Sequence, residues 1–182
     1  MYMDDTYDAN FGEWIRNEDN SRIVAYNMKK YIDSYSVSNV IVVIKWIVKD
    51  WTLKSIIIFT KKMLIEDIKA LSFREADCEK EKYYNRIRIA SGLIYTWNPL
   101  FISEFILSTT KHFSVDEKTK FLKVLLDSLE NKKLNDVLSH LNGKMDNKVR
   151  QELTKEFNIE ERSKRKNQSK RSDSMIEAYN VS

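Results

Sequence analysis

Val40-Ile41-Val42-Val43-Ile44-Lys45-Trp46-Ile47-Val48 is the stretch on which the fold class turns. Its β-branched residues suit a buried strand as well as a buried helix, because a short apolar run has no period that separates the two. The surrounding chain argues for helix. No second segment reads as a strand to pair with it, and a lone strand leaves its backbone N–H and C=O groups without partners. Three glycines and one proline in 182 residues are too few for a chain of hairpins and tight turns. Abundant Lys, Glu, Leu and Ile complete a helix-forming composition. The expectation is an all-α domain, a compact bundle or short α-solenoid of seven to eight helices.

Outward from that stretch, Ser36 and Ser38 mark a break, and residues 21–33 read as a helix with Ser21 as N-cap and Val24, Met28, Tyr31 and Ile32 on one face. On the other side, Asp50 or Thr52 caps a helix from Leu53 to about Leu71. Ser72 with Glu75 forms a capping box that opens a long helix, or two, through Ile87, Ile89, Leu93 and Ile94 to Trp97. Asn98-Pro99 ends it and starts the next, which runs to about His112. Ser114 and Glu117 make a second capping box ahead of the stripe Phe121, Leu122, Leu125, Leu126 and Leu129. Leu134, Val137, Leu138 and Leu141 continue that stripe after a kink near Asn131, with Gly143 as C-cap. Asp146 opens the last helix, in which Val149, Leu153 and Phe157 are spaced by four.

Composition bounds the function. Hydrophobic residues at 42% and charged residues at 32% describe a globular chain. The single cysteine, Cys78, excludes an internal disulfide and a cysteine-based zinc site. The acidic start Met1-Tyr2-Met3-Asp4-Asp5 is unlike a signal peptide, and no apolar run approaches the ~20 residues a membrane helix needs. A soluble, intracellular protein with no membrane association is expected. The net charge of +4 is unevenly placed. Six acids face one base in residues 1–20, whereas residues 162–171 carry six bases and no acid. Three regions follow: an acidic aromatic segment over 1–20, a helical domain over 21–158 and a basic disordered tail over 159–182.

Catalytic constellations are missing from this pattern. Gly12, Gly92 and Gly143 are too isolated for a phosphate loop. His112 and His140 lack acidic or histidine partners at metal-ligand spacing. Acids around Cys78 (Asp77, Glu79, Glu81) would raise rather than lower its thiol pKa. Asp127 and Glu130 share a helix face as ordinary surface pairs do. The reading is a non-enzyme with no cofactor and no metal. Of the four tryptophans, Trp46 and Trp97 read as core, while polar or acidic flanks make Trp51 and Trp14 the exceptions.

Two constellations point to partners. Tyr7, Phe11 and Trp14 lie at i, i+4 and i+7 beside Ile15 within the acidic start. On a helix they share one face, the arrangement with which a short segment fills a hydrophobic groove, or packs on its own domain. Gly12 weakens that helix by ~1 kcal/mol relative to Ala. In the tail, Lys164-Arg165-Lys166 and Lys170-Arg171 suit a nuclear-import signal or a phosphate-binding arm, with Ser163, Ser169 and Ser172 as neighbouring phosphorylation sites.

Thr96-Trp97-Asn98-Pro99 invites one comparison. It loosely resembles the Asn-Trp-Gly-Arg signature of Bcl-2-like regulators, an all-helical class that viruses also carry, but without the Gly-Arg pair. Such a resemblance implies a helical regulator of protein partners; no residue is carried across. The sequence thus points first to a protein–protein adaptor, nuclear or nucleocytoplasmic. The alternative is RNA or DNA binding through the tail and a basic face of Lys45, Lys49, Lys54, Lys61, Lys62, Arg86 and Arg88. A viral Bcl-2-like regulator comes second among the alternatives.

Overall fold

The computed structural model describes residues 5–66 and 77–157, with side chains from Phe11 and, after the interruption, from Lys80. The described residues form an all-α bundle without strands. Its helices are α1 (Asp5–Arg16), α2 (Ser21–Lys29), α3 (Val37–Ile47), α4 (Leu53–Thr60), α5 (Asp77–Ile94), α6 (Pro99–Thr109), α7 (Val115–Leu126), α8 (Asn131–His140) and α9 (Asn147–Glu156).

The deciding stretch is helix α3. Ser36 caps it, accepting a hydrogen bond from the Asn39 N–H at 3.4 Å. A strand would hide every second residue, but here Val40, Ile44, Ile47 and Val48 are buried while Val42 and Trp46 stay exposed. That is the spacing of one helical face.

Local chemistry fixes the other boundaries. Thr52 caps α4, whose last turn widens into a π-helix over Lys61–Ile65. The wider turn, closed by the Glu66 N–H on the Lys61 carbonyl at 3.1 Å, brings three consecutive residues, Met63, Leu64 and Ile65, into the core. The predicted continuation to Leu71 and the Ser72–Glu75 capping box lie outside the described residues. Asn98 caps α6 through the Phe101 N–H at 2.9 Å, with Pro99 in the first turn. The Ser114–Glu117 capping box is formed in both directions. Beyond Leu126 the chain breaks its helix instead of kinking, restarting at Asn131. Gly143 takes φ +74°, a left-handed conformation that favours glycine.

Helix α5 is the hub. It packs on α3, on α7, on the π-turn and on the short 3₁₀ turn Ile32–Ser34. α6 packs on α8 and α7 on α9, and the Lys118–Asp146 and Lys123–Glu156 ion pairs, each 2.8 Å, lace α9 to α7. Gly92 permits the close approach of α3 and α5: a Cβ there would stand 2.4 Å from Ile41 Cδ1.

Within the acidic N-terminal segment, α1 is tied to this domain at its C-terminal end. The Trp51 Nε1–H donates to the Arg16 carbonyl at 2.5 Å. Glu18 then accepts from the Thr52 N–H at 3.1 Å, from the Thr52 hydroxyl at 2.5 Å and from the Ser55 hydroxyl. These hydrogen bonds, the one from Ser55 foremost, hold the Glu18 carboxyl below its usual pKa.

Candidate functional site

Four of the residues picked from the sequence fall on α1. Phe11 and Trp14 stack with ring centroids 6.2 Å apart, and both face outward, 57% and 40% exposed. Ile15 turns inward and packs against the core. Tyr7 belongs to the same helix, but its side chain lies outside the described residues. The segment therefore docks on its own domain through Ile15 and its C-terminal end, and leaves an aromatic pair in solvent.

A third exposed aromatic, Trp46 of α3, stands beside α1 at Gly12 and Arg16. Gly12 sits close to the Trp46 ring, where a Cβ would lie 3.9 Å from the indole edge, and the Arg16 guanidinium stands 5.4 Å over the same indole. Trp46 is 48% exposed, and Val42 and Val43, one turn back, are also exposed. The sequence placed Trp46 in the core and Trp51 outside; the structure reverses them. Trp51 is buried against Phe59, edge to face at 5.2 Å, with its indole N–H satisfied by the Arg16 carbonyl. Trp97 packs half-buried on Phe105, and Trp14 is exposed as expected.

A second feature was not visible in the sequence. An open groove of about 1040 Å³ lies among α3, α5, α7 and the end of α9. Its floor is Tyr84, Arg88, Ser91 and Gly92 of α5 with Tyr95 just past the helix end, at i, i+4, i+7, i+8 and i+11. Ile41 and Lys45 of α3 form one wall. The opposite wall is Lys123, Val124, Asp127 and Ser128, closed at one end by Lys155, Glu156 and Phe157. A hydrogen bond between the hydroxyls of Ser91 and Ser128, 2.6 Å, joins floor to wall.

The proposed basic face divides. Arg86 is buried, bound to Asp33 through two contacts of 3.1 and 2.6 Å. Lys61 donates to the Ser108 carbonyl at 3.1 Å. Lys45 and Arg88 line the groove together, whereas Lys49 and Lys54 do not line it. His112 and His140 are exposed, and no group of three potential metal ligands occurs among the described residues. Asn98 of the Thr96–Pro99 stretch serves as the α6 cap. The tail residues Lys164, Arg165, Lys166, Lys170 and Arg171 lie outside the described residues. No described helix is long and apolar enough to cross a membrane.

The class defined so far is an all-α bundle with an exposed aromatic face and an open groove. Comparison of the chain with protein-family models, with curated proteins and with solved structures finds no match in any of the three.

Proposed function

We propose that this chain is a non-catalytic protein–protein adaptor that meets its partner through the aromatic face of α1 and α3. The observation that carries the reading is Phe11, Trp14 and Trp46 standing partly in solvent on adjoining helices, with Val42 and Val43 exposed one turn from Trp46. Tryptophan and other aromatics are the anchors that concentrate binding energy at protein interfaces. The basic tail then supplies a nuclear address, which places the adaptor in the nucleus or between nucleus and cytoplasm. Nucleic-acid binding has less support. Of the seven cations proposed for it, Lys45 and Arg88 share a groove and Arg86 is used internally.

The test is capture from native extract with full-length protein, with and without nuclease, beside Phe11→Ser/Trp14→Ser and a variant lacking residues 160–182. A partner retained after nuclease and lost with the double substitution is the expected result. Capture that requires nucleic acid and the tail would transfer the function to RNA or DNA binding.

A further inference from the structure

We propose that the groove over α5 is a second binding site, independent of the aromatic face, and that its occupant is an acidic amphipathic helix of a partner protein. The shape fits a helix. Tyr84 of α5 and Tyr95 just past its end mark the ends of the floor, eleven positions and about 16 Å apart, roughly three helical turns. Between them Ile41 packs over Gly92 and the Ser91 hydroxyl is bonded to Ser128, which closes the floor, and the half-buried Ile41 and Val124 offer apolar contact from the two walls.

The charge selects the sign of the occupant. Four cations line the groove, Lys45, Arg88, Lys123 and Lys155, against two acids, Asp127 and Glu156. Glu156 is held by Lys123 at 2.8 Å, and Lys155 lies 3.7 Å from Glu152. Arg88 meets the Asn85 side-chain oxygen at 3.4 Å, a contact that leaves its charge uncompensated. Lys45 and Arg88 thus present positive charge along the α3–α5 edge. Carboxylates on the flank of an inserted helix would meet them while its apolar stripe faces Ile41 and Val124.

The experiment is selection of a displayed library of 12-residue helical peptides on the full-length protein. The best peptide is then titrated against wild type, Lys45→Glu/Arg88→Glu, Ser128→Trp and Phe11→Ser/Trp14→Ser, each checked for helicity by circular dichroism. Enriched peptides should carry net negative charge beside apolar residues at i, i+3 or i+4, and i+7. Charge reversal should weaken binding roughly tenfold or more, with a steep dependence on salt. Ser128→Trp, which fills the groove without changing its charge, should weaken it as well, and Phe11→Ser/Trp14→Ser should leave it unchanged. Enrichment of neutral or basic peptides, no enrichment, or indifference to both groove variants overturns the proposal. So does a 12-nucleotide single-stranded RNA that alone binds and is lost on charge reversal.

Discussion

Residues 11–66 and residues 80–157 are both helical, yet they treat apolar surface differently. Of the thirteen large hydrophobic side chains left exposed among the described residues, ten belong to the first region and three, Tyr84, Tyr95 and Leu100, to the second. Two of those three line the groove. The second region uses its apolar residues to close on itself: Phe121, Leu122, Leu125, Leu126 and Leu129 are all fully buried. The first buries one face of each helix and leaves Phe11, Trp14, Tyr26, Tyr31, Tyr35 and Trp46 outside. Scattered exposed apolar residues are ordinary, whereas here Phe11 stacks on Trp14 and Trp46 stands beside the same helix. On the proposed reading the later helices are the frame and the earlier ones carry the interface.

The frame should be costly to damage. Phe121 is fully buried and lies edge to face on Phe113 at 5.6 Å. Phe121→Ala should lower unfolding free energy by about 3–5 kcal/mol in urea denaturation. A loss below about 1 kcal/mol would mean that the later helices pack no more tightly than the earlier ones.

Next in size comes the ion pair that joins the two regions. Asp33, in the Ile32–Ser34 turn, holds the buried Arg86 of α5, and Arg86 Nη1 already lacks a partner. Asp33→Ala leaves a buried guanidinium uncompensated, a change that should cost about 3 kcal/mol. Arg86→Met on that background should restore part of the loss, because the pair then disappears as a unit. A double variant no more stable than Asp33→Ala would show that the geometry of Arg86, not its charge, joins the regions.

The frame was the more legible region. Asn98-Pro99, the Ser114–Glu117 box and the leucine stripe each name a helix boundary or face by local chemistry, and the structure forms all three. Val40–Val48 itself carries no helical period, and its reading as helix rests on the surrounding chain. Its outward face stayed hidden, since a helix apolar on most sides gives no sign of which side faces the core. That is why Trp46 and Trp51 were exchanged: a polar neighbour in sequence says little about a side chain whose indole finds a carbonyl 35 residues away. The groove was illegible for a different reason. Its walls come from residues 41–45, 84–95, 123–128 and 155–157, and only the packing of four helices brings them together. The stripe Tyr84, Arg88, Ser91 and Tyr95, along α5 and its end, was the one trace of it in the sequence.

A smaller effect is expected at the frame's edge. Ser114→Ala removes half of the capping box at the start of α7 and should cost about 1 kcal/mol. Ser114→Asp, which can still cap, should recover most of it. An equal loss in both would place the effect outside the cap.

The attachment of α1 offers a pH-dependent test. Glu18 has its pKa lowered by its hydrogen bonds to Ser55 and Thr52. Its contribution is therefore complete above the ordinary value of 4.5 and is lost as pH falls through the lower folded value. Below that point the α1–α4 junction should loosen before the frame does, seen as faster exchange of the Trp51 indole proton while the far-ultraviolet signal of the bundle persists. Glu18→Gln should exchange quickly at every pH. Simultaneous loss of both signals would mean that the two regions unfold as one unit.

The smallest expected change in stability is also the one that most sharpens the contrast. Val42 is 67% exposed on α3, and threonine keeps its β-branched shape and nearly its helix propensity. Val42→Thr should therefore alter unfolding free energy by less than about 0.5 kcal/mol. If the face of α1 and α3 exists for a partner, the same change should weaken capture of that partner, because a hydroxyl would be buried against an apolar surface with nothing to bond. A variant that keeps stability and loses capture separates interface from frame at a single side chain. A variant that loses both would show that Val42 supports the packing of α3 and belongs with the frame.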